Sequence, residues 1–177
     1  MNKQFLIAFL CSTSLTVLLD IIALATTGWV TITDVTYQTS YGIYKLCRHS
    51  INKVNYNRYE LYESLCQTFI PTTAGNVAAT MLILAIFILI AAVALAMMTY
   101  AEKGNYDRIA AALCLVAWVL VLIGAGVYVG MVTSQIVRDR RLSGFSFGYA
   151  FGLIGVMNTL NIVSAVIGFK GATPTSN

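Results

Sequence analysis

Four cysteines, one histidine and seven carboxylates are the side chains through which this 177-residue chain would most readily hold a metal or run acid–base or nucleophilic chemistry. Their arrangement points away from catalysis. His49 stands alone, and the chain has no HExxH, no CxxC and no glycine-rich phosphate loop. Glu60 and Glu63 come nearest to a carboxylate pair, and a solvated face explains them better than general acid–base work. The pattern therefore predicts no enzyme, no catalytic residue, no metal or other cofactor, and no small-molecule substrate. The cysteines divide into two kinds. Cys11 and Cys114 fall inside long apolar runs, where a free cysteine behaves as a small hydrophobe. Cys47 and Cys66 are the only two in polar sequence, and such a pair reads as a disulfide formed in an oxidising compartment. In the chain-entropy picture, a bridge closing a loop of this length contributes about 3 kcal/mol.

The elements around these residues are apolar. Hydrophobic residues make up 58% of the chain and charged residues 10%, against about 25% charged in a soluble domain. Four runs, roughly Phe5–Val30, Val77–Met98, Ile109–Val132 and Phe147–Phe169, each meet the ~20 residues a helix needs to cross a bilayer. Stretches such as MLILAIFILIAAVALAMM do not alternate as barrel strands do. The first run also resembles a secretory signal, with Lys3 ahead of it and Ala23-Leu24-Ala25 as a small-residue site. Its apolar stretch is too long for that and Asp20 precedes the site, so a retained helix is expected. The expectation is an α-helical membrane protein: a single tetraspan domain over 1–177, with helices about 5–30, 77–98, 109–132 and 147–169. The loops 31–76 and 133–146 lie on one side, with a short connection at TYAEKGNYDR on the other.

Orientation sets two arguments against each other. Loops one and three hold Lys45, Arg48, Lys53, Arg58, Arg138, Arg140 and Arg141; the termini and the second loop hold Lys3, Lys103, Arg108 and Lys170. A bare count of basic residues puts the long loop in the cytoplasm, but the rule weighs charges near helix ends, and those of loop one lie mostly in its middle. A disulfide demands the opposite. We take the cysteines as the stronger signal, so the expected arrangement has loops one and three outside, both termini cytoplasmic, and the chain in the plasma membrane. The net charge of +4 is too dispersed to suggest nucleic acid.

Loop one opens WVTITDVTYQTSYGIYKLC, β-forming residues around a polar QTS stretch, which is a hairpin pattern. A lone hairpin is marginal; the disulfide would staple it, and TSQIV in loop three offers another strand. Tyr56, Tyr59 and Tyr62 recur every three residues, compatible with a short helix or a twisted strand. The order Trp29, then Gly42-Ile43-Tyr44, then Cys47 and Cys66 resembles the W…GLW…C…C signature of the claudin superfamily. That group includes claudins, the peripheral myelin and epithelial membrane proteins, and the gamma subunits of calcium channels and glutamate receptors. NVAATMLILAIF and GFSFGYAF are similar to the myelin and epithelial branch in particular. The chain departs from the pattern at Tyr44, which replaces a second tryptophan, in its widely spaced cysteines, and in a tail, KGATPTSN, without PDZ-binding residues. The resemblance implies a four-helix bundle carrying a small, disulfide-stapled extracellular antiparallel sheet. In that sheet Gly42 permits close backbone approach, while Trp29 and Tyr44 rest at the membrane interface.

Within the membrane, Asp20 costs roughly 2.5–3.5 kcal/mol on insertion scales, and Asn158 and Asn161 share one side of helix four. The expectation is that these three fasten the bundle internally. Gly126 and Gly130, and Gly144, Gly148 and Gly152, recur at helix-packing spacing and are expected to pack within the monomer. The family implication is a structural, adhesive protein of cell–cell contact or a paracellular barrier, surrounded by lipid and associating with itself or another membrane protein. The alternative is an auxiliary, gamma-type subunit of an ion channel. Either way, recognition is expected on loop one, around Lys45, Arg48, Lys53 and Arg58.

Overall fold

The computed structural model describes residues 3–33, 37–53, 59–68, 73–101, 106–138 and 144–171. In chain order the elements are α1 (Lys3–Ala25), β1 (Val30–Thr33), β2 (Tyr37–Tyr41), β3 (Lys45–Lys53), β4 (Tyr59–Thr68), α2 (Thr73–Tyr100), α3 (Asp107–Arg138), β5 (Gly144–Phe147) and α4 (Tyr149–Gly171). All four helices contain spans long and apolar enough to cross a membrane, so the chain is a multi-pass membrane protein. Helix α1 packs on α2 and α4, and α3 packs on α2 and α4, which closes a four-helix ring.

These helices are apolar on every side, so hydropathy alone does not select an inward face. The inward face is selected by size. On α2 the buried positions are Ala74, Gly75, Ala78, Ala79, Leu82, Ala85, Leu89, Ala92 and Ala96, and on α3 they include Ala110, Cys114, Ala117, Val121 and Ala125. In lipid there is little hydrophobic force between helices, and small residues let two backbones come close enough for dispersion and packing to act. Larger side chains such as Phe87, Leu18 and Ile109 face outward, where lipid covers them. Hydroxyls within the spans are satisfied by the helix backbone: Thr13 donates to the Phe9 carbonyl at 2.8 Å, Thr16 to Ser12 at 2.9 Å and Thr159 to Gly155 at 3.0 Å.

Two of the glycine expectations fail. A Cβ placed on Gly126, Gly130 or Gly152 would meet nothing within 4 Å, so these residues make no close packing contact in the monomer. Gly144 is in a strand, and Gly148 is the single residue between β5 and α4. The seam is made by alanines instead, with Gly124, which lies against Ala78 and Met81, as the one tight glycine contact on α3. Four-residue spacing marks a face suited to packing, but does not say that the face is turned inward.

The strands form one antiparallel sheet in the order β4-β3-β2-β1-β5. Val30 pairs with Tyr41 on one side and Phe147 on the other, so β1 is an interior strand tied to both segments that supply the sheet. The third source of strand differs from the expected one. TSQIV belongs to α3, which runs on to Arg138, and the partner of β1 is Gly144–Phe147. Ser134 donates to the Met131 carbonyl at 2.8 Å, so the helix itself satisfies a polar group that would otherwise favour leaving it. Helix α1 ends at Ala25, earlier than the apolar run suggests, because Val30 is taken into the sheet. Of the tyrosine segment, Tyr59 and Tyr62 lie in a strand, β4; Tyr56 lies outside the described residues.

Sheet and bundle meet where Gly148 passes Gly28. The Gly148 amide donates to Trp29 at 3.1 Å and Ala150 to Gly28 at 2.9 Å. A Cβ on Gly148 would collide with the Gly28 carbonyl, which is backbone and has no soft end to move. Gly148→Ala is therefore expected to lower stability by about 1–3 kcal/mol, while Gly126→Ala and Gly130→Ala stay within about 0.5 kcal/mol of the parent; thermal unfolding in detergent measures all three.

Candidate functional site

The best-defined constellation is the base of the sheet. Trp29 follows α1 after a short turn and is wholly buried. Its indole N–H donates to the Ala23 carbonyl at 2.8 Å, closing one of the carbonyls that a helix end leaves open. Its ring meets Tyr128 of α3 edge-on, with centroids 5.0 Å apart. Its backbone N–H donates to Tyr41 of β2 at 3.0 Å, and its carbonyl accepts from Gly148. One residue thus binds α1, β2, α3 and the entry to α4.

The rest of the motif sits directly against this. Gly42 donates to the Lys45 carbonyl at 2.8 Å, forming the tight turn from β2 to β3. A Cβ on Gly42 would strike the Thr26 carbonyl and come within 2.8 Å of the Thr27 Cα, so the turn can lie on the end of α1 only without a side chain. Ile43, at the turn, is fully buried, whereas Tyr44 is 36% exposed. The sequence treats Trp29 and Tyr44 alike as rings anchoring the sheet, and the structure separates them by burial. Trp29 enters the protein interior, where its polar edge finds a backbone partner, and Ile43 supplies the second buried side chain. Tyr128 went unnoticed in the sequence. Its signal is a seven-residue spacing, Cys114, Val121 and Tyr128, along the buried face of α3.

Cys47 of β3 and Cys66 of β4 occupy directly opposed positions and are bonded, with S–S 2.07 Å. The bridge joins the last two strands of the sheet, the pair farthest in strand order from β5 and its junction with α4. A β-bulge between His49 and Ser50 lies two residues beyond it. Cys11 and Cys114 are free thiols.

The proposed recognition cations are not one cluster. Lys45 and Arg48 are both exposed on β3, but they stand three positions apart along a strand whose side chains alternate, so they belong to opposite faces of the sheet. Lys53 ends β3 with only its backbone described, and Arg58 lies outside the described residues. Among the intramembrane polar residues, Asp20 and Asn161 are fully buried in the bundle and Asn158 is half-buried. Ser12 of α1 and Ser164 of α4 share a hydrogen bond at 2.7 Å. Among the described residues, no group of three or more His, Cys, Asp or Glu side chains is placed to hold a metal.

Four spans, a stapled sheet and this ordered motif agree with a comparison against known families, in which the PMP-22/EMP/MP20/Claudin family matches residues 1–168. The chain belongs to this family. A search of curated proteins finds no sequence match. The family's motif positions are thereby assigned two different physical duties in this chain, burial at Trp29 and Ile43 and exposure at Tyr44. Trp29→Ala is expected to cost about 3–5 kcal/mol, whereas Tyr44→Ala changes stability by about 0.5 kcal/mol or less; unfolding in detergent, read alongside the yield of disulfide-bonded protein, measures both.

Proposed function

We propose that this protein is a non-enzymatic tetraspan of the plasma membrane, with both termini cytoplasmic, whose outer sheet makes adhesive contacts with neighbouring molecules at cell–cell contacts. The observation that carries this reading is the sheet itself. The 47 residues between Ala25 and Thr73 join α1 to α2, where about 2–8 would connect two helices of a bundle. They form a platform held to the bundle by Trp29 and stapled near its far edge by Cys47–Cys66. A rigid platform loses little conformational freedom on binding, which favours recognition by its exposed strands. Strand β4 is an edge of the sheet, and an edge strand is a ready template for another chain. The disulfide supports an extracytoplasmic location for the sheet, because such bonds persist in oxidising compartments, and the cytoplasmic termini follow from four crossings.

The second reading, an auxiliary subunit of an ion channel, is favoured by the outward-facing Gly126 and Gly130 of α3, which would admit close approach by a foreign helix. Purification in mild detergent separates the two: self-association supports adhesion, and a stoichiometric channel subunit supports the second reading.

Neutralising Lys45, Arg48, Lys53 and Arg58 together with glutamine is expected to leave surface amount and the disulfide unchanged and to reduce aggregation of expressing cells several-fold, since charged rim residues act chiefly on encounter. Unchanged aggregation at equal surface amount would move recognition away from this sheet.

A further inference from the structure

The centre of the bundle holds polar atoms without partners. Asp20 is fully buried, and neither carboxylate oxygen has a hydrogen bond; Asn161 is fully buried, and neither its carboxamide oxygen nor its nitrogen has one. No lysine or arginine is among the buried described residues. An uncompensated carboxylate in such a place is strongly unfavourable, and orphaned buried groups call for a missing partner.

Helix geometry sets these groups along one stretch of the seam between α1 and α4. Helices α1 and α4 are antiparallel, because Phe9 meets Gly168 at one end while Ala150 bonds Gly28 at the other. The Ser12–Ser164 hydrogen bond fixes their register. Counting outward at 1.5 Å per residue, Thr16 lies about 6 Å from Ser12 and Asn161 about 4.5 Å from Ser164, so the two share a level; Asp20 lies about 6 Å beyond Thr16 and about 7.5 Å beyond Asn161, with Asn158, whose buried carboxamide oxygen also lacks a partner, between them at about 9 Å. Side chains lean toward the N-terminus of their own helix. In an antiparallel pair, Asp20 therefore leans inward toward the Thr16 level while Asn161 leans outward toward Asp20. The Thr16 hydroxyl gives its proton to Ser12, leaving its oxygen lone pairs available. From the facing helices the same level receives only alanines. The Thr13–Cys114 contact places Ala117 there, and the Gly124–Ala78 contact places Ala85 there. By the same count the buried Val121 and Leu82 come near the level of Asp20, and none of these side chains offers a charge or a competing donor.

We propose that Asp20, Asn161 and Thr16 form an intramembrane binding site for one small monovalent cation of the sodium type. The donor set is all oxygen, which suits a hard ion. It carries one negative charge, so a monovalent cation leaves the cell neutral, whereas a divalent one would leave a buried net positive charge. Bound there, the ion pulls α1 and α4 together in the core and supplies the partner that both polar side chains lack.

The test is thermal unfolding of the purified full chain in a zwitterionic detergent, titrated with sodium chloride against choline chloride at constant ionic strength and pH. A ligand that binds only the folded state stabilises it logarithmically above its Kd, so the parent Tm is expected to rise by roughly 5 °C with sodium. Asp20→Asn keeps the size and removes the charge, and its Tm is expected to be indifferent to the exchange; Asn161→Ala is expected to need about tenfold more sodium for half its effect. Should Asp20→Asn fail to fold, sodium-23 relaxation of the parent protein decides: saturable broadening at one ion per chain supports the site, and its absence overturns it. Equal parent Tm in sodium and choline, or a sodium response retained by Asp20→Asn, also overturns the proposal.

Discussion

The indole N–H of Trp29 bonded to the Ala23 carbonyl is the contact on which the two halves of this molecule depend. At the C-terminal end of α1 the chain must leave a helix, whose last carbonyls have no partner of their own, and enter a sheet, whose first strand needs partners on both sides. Trp29 meets both requirements. Its side chain closes the helix and its backbone opens the ladder to β2 and to the segment before α4. Because the ring also abuts Tyr128, the sheet is set at a fixed position over α3 and is not merely tethered to α1. The glycines at 28, 42 and 148 are consequences of that crowding: each passes another backbone or ring at a distance that leaves no room for a methyl group.

Below this junction the bundle obeys a different logic. In lipid, sequestering apolar side chains from water does not hold helices together, so contact depends on how closely backbones approach and on how polar groups are satisfied. Helices α2 and α3 meet the first condition with alanine. Helices α1 and α4 carry the polar stripe, with Thr13, Thr16, Asp20, Asn161 and Ser164 all buried. The hydroxyls are accounted for by helix carbonyls and by one serine pair, whereas the carboxylate and the carboxamide are not. That contrast makes the core of this bundle a place for a ligand as well as for packing.

Above the junction, the disulfide and the bulge stiffen the strands remote from the helices, where the hydrophobic core does not reach. The division of labour is physical. Residues near Trp29 are buried and serve the fold, whereas the strand β3, toward the other side of the sheet, carries exposed side chains. Lys45 and Arg48 share a strand but face opposite ways, so any field they create is spread over both faces of the sheet.

What was legible in the sequence is what depends on local length and composition. Four apolar runs long enough to span, a pair of cysteines isolated in polar sequence, a run of β-formers after Trp29, and the ordered motif with its family resemblance were all readable without coordinates. What only the tertiary structure decided is rotation, register and partner. Helices apolar on every side carry no moment to orient them, so nothing local says that Gly126 and Gly130 face outward while alanines face in. Nothing local separates TSQIV from GFSF as the strand beside β1, since both hold β-compatible residues and the choice rests on whether α3 continues its own hydrogen bonds. Ile43 and Tyr44 are neighbours in the motif, and which is buried follows from the tight turn at Gly42 against the end of α1. That contact joins Gly42 to Thr26 and Thr27, close in space but on different elements and well apart in the chain, which is why the chain's own pattern does not announce it.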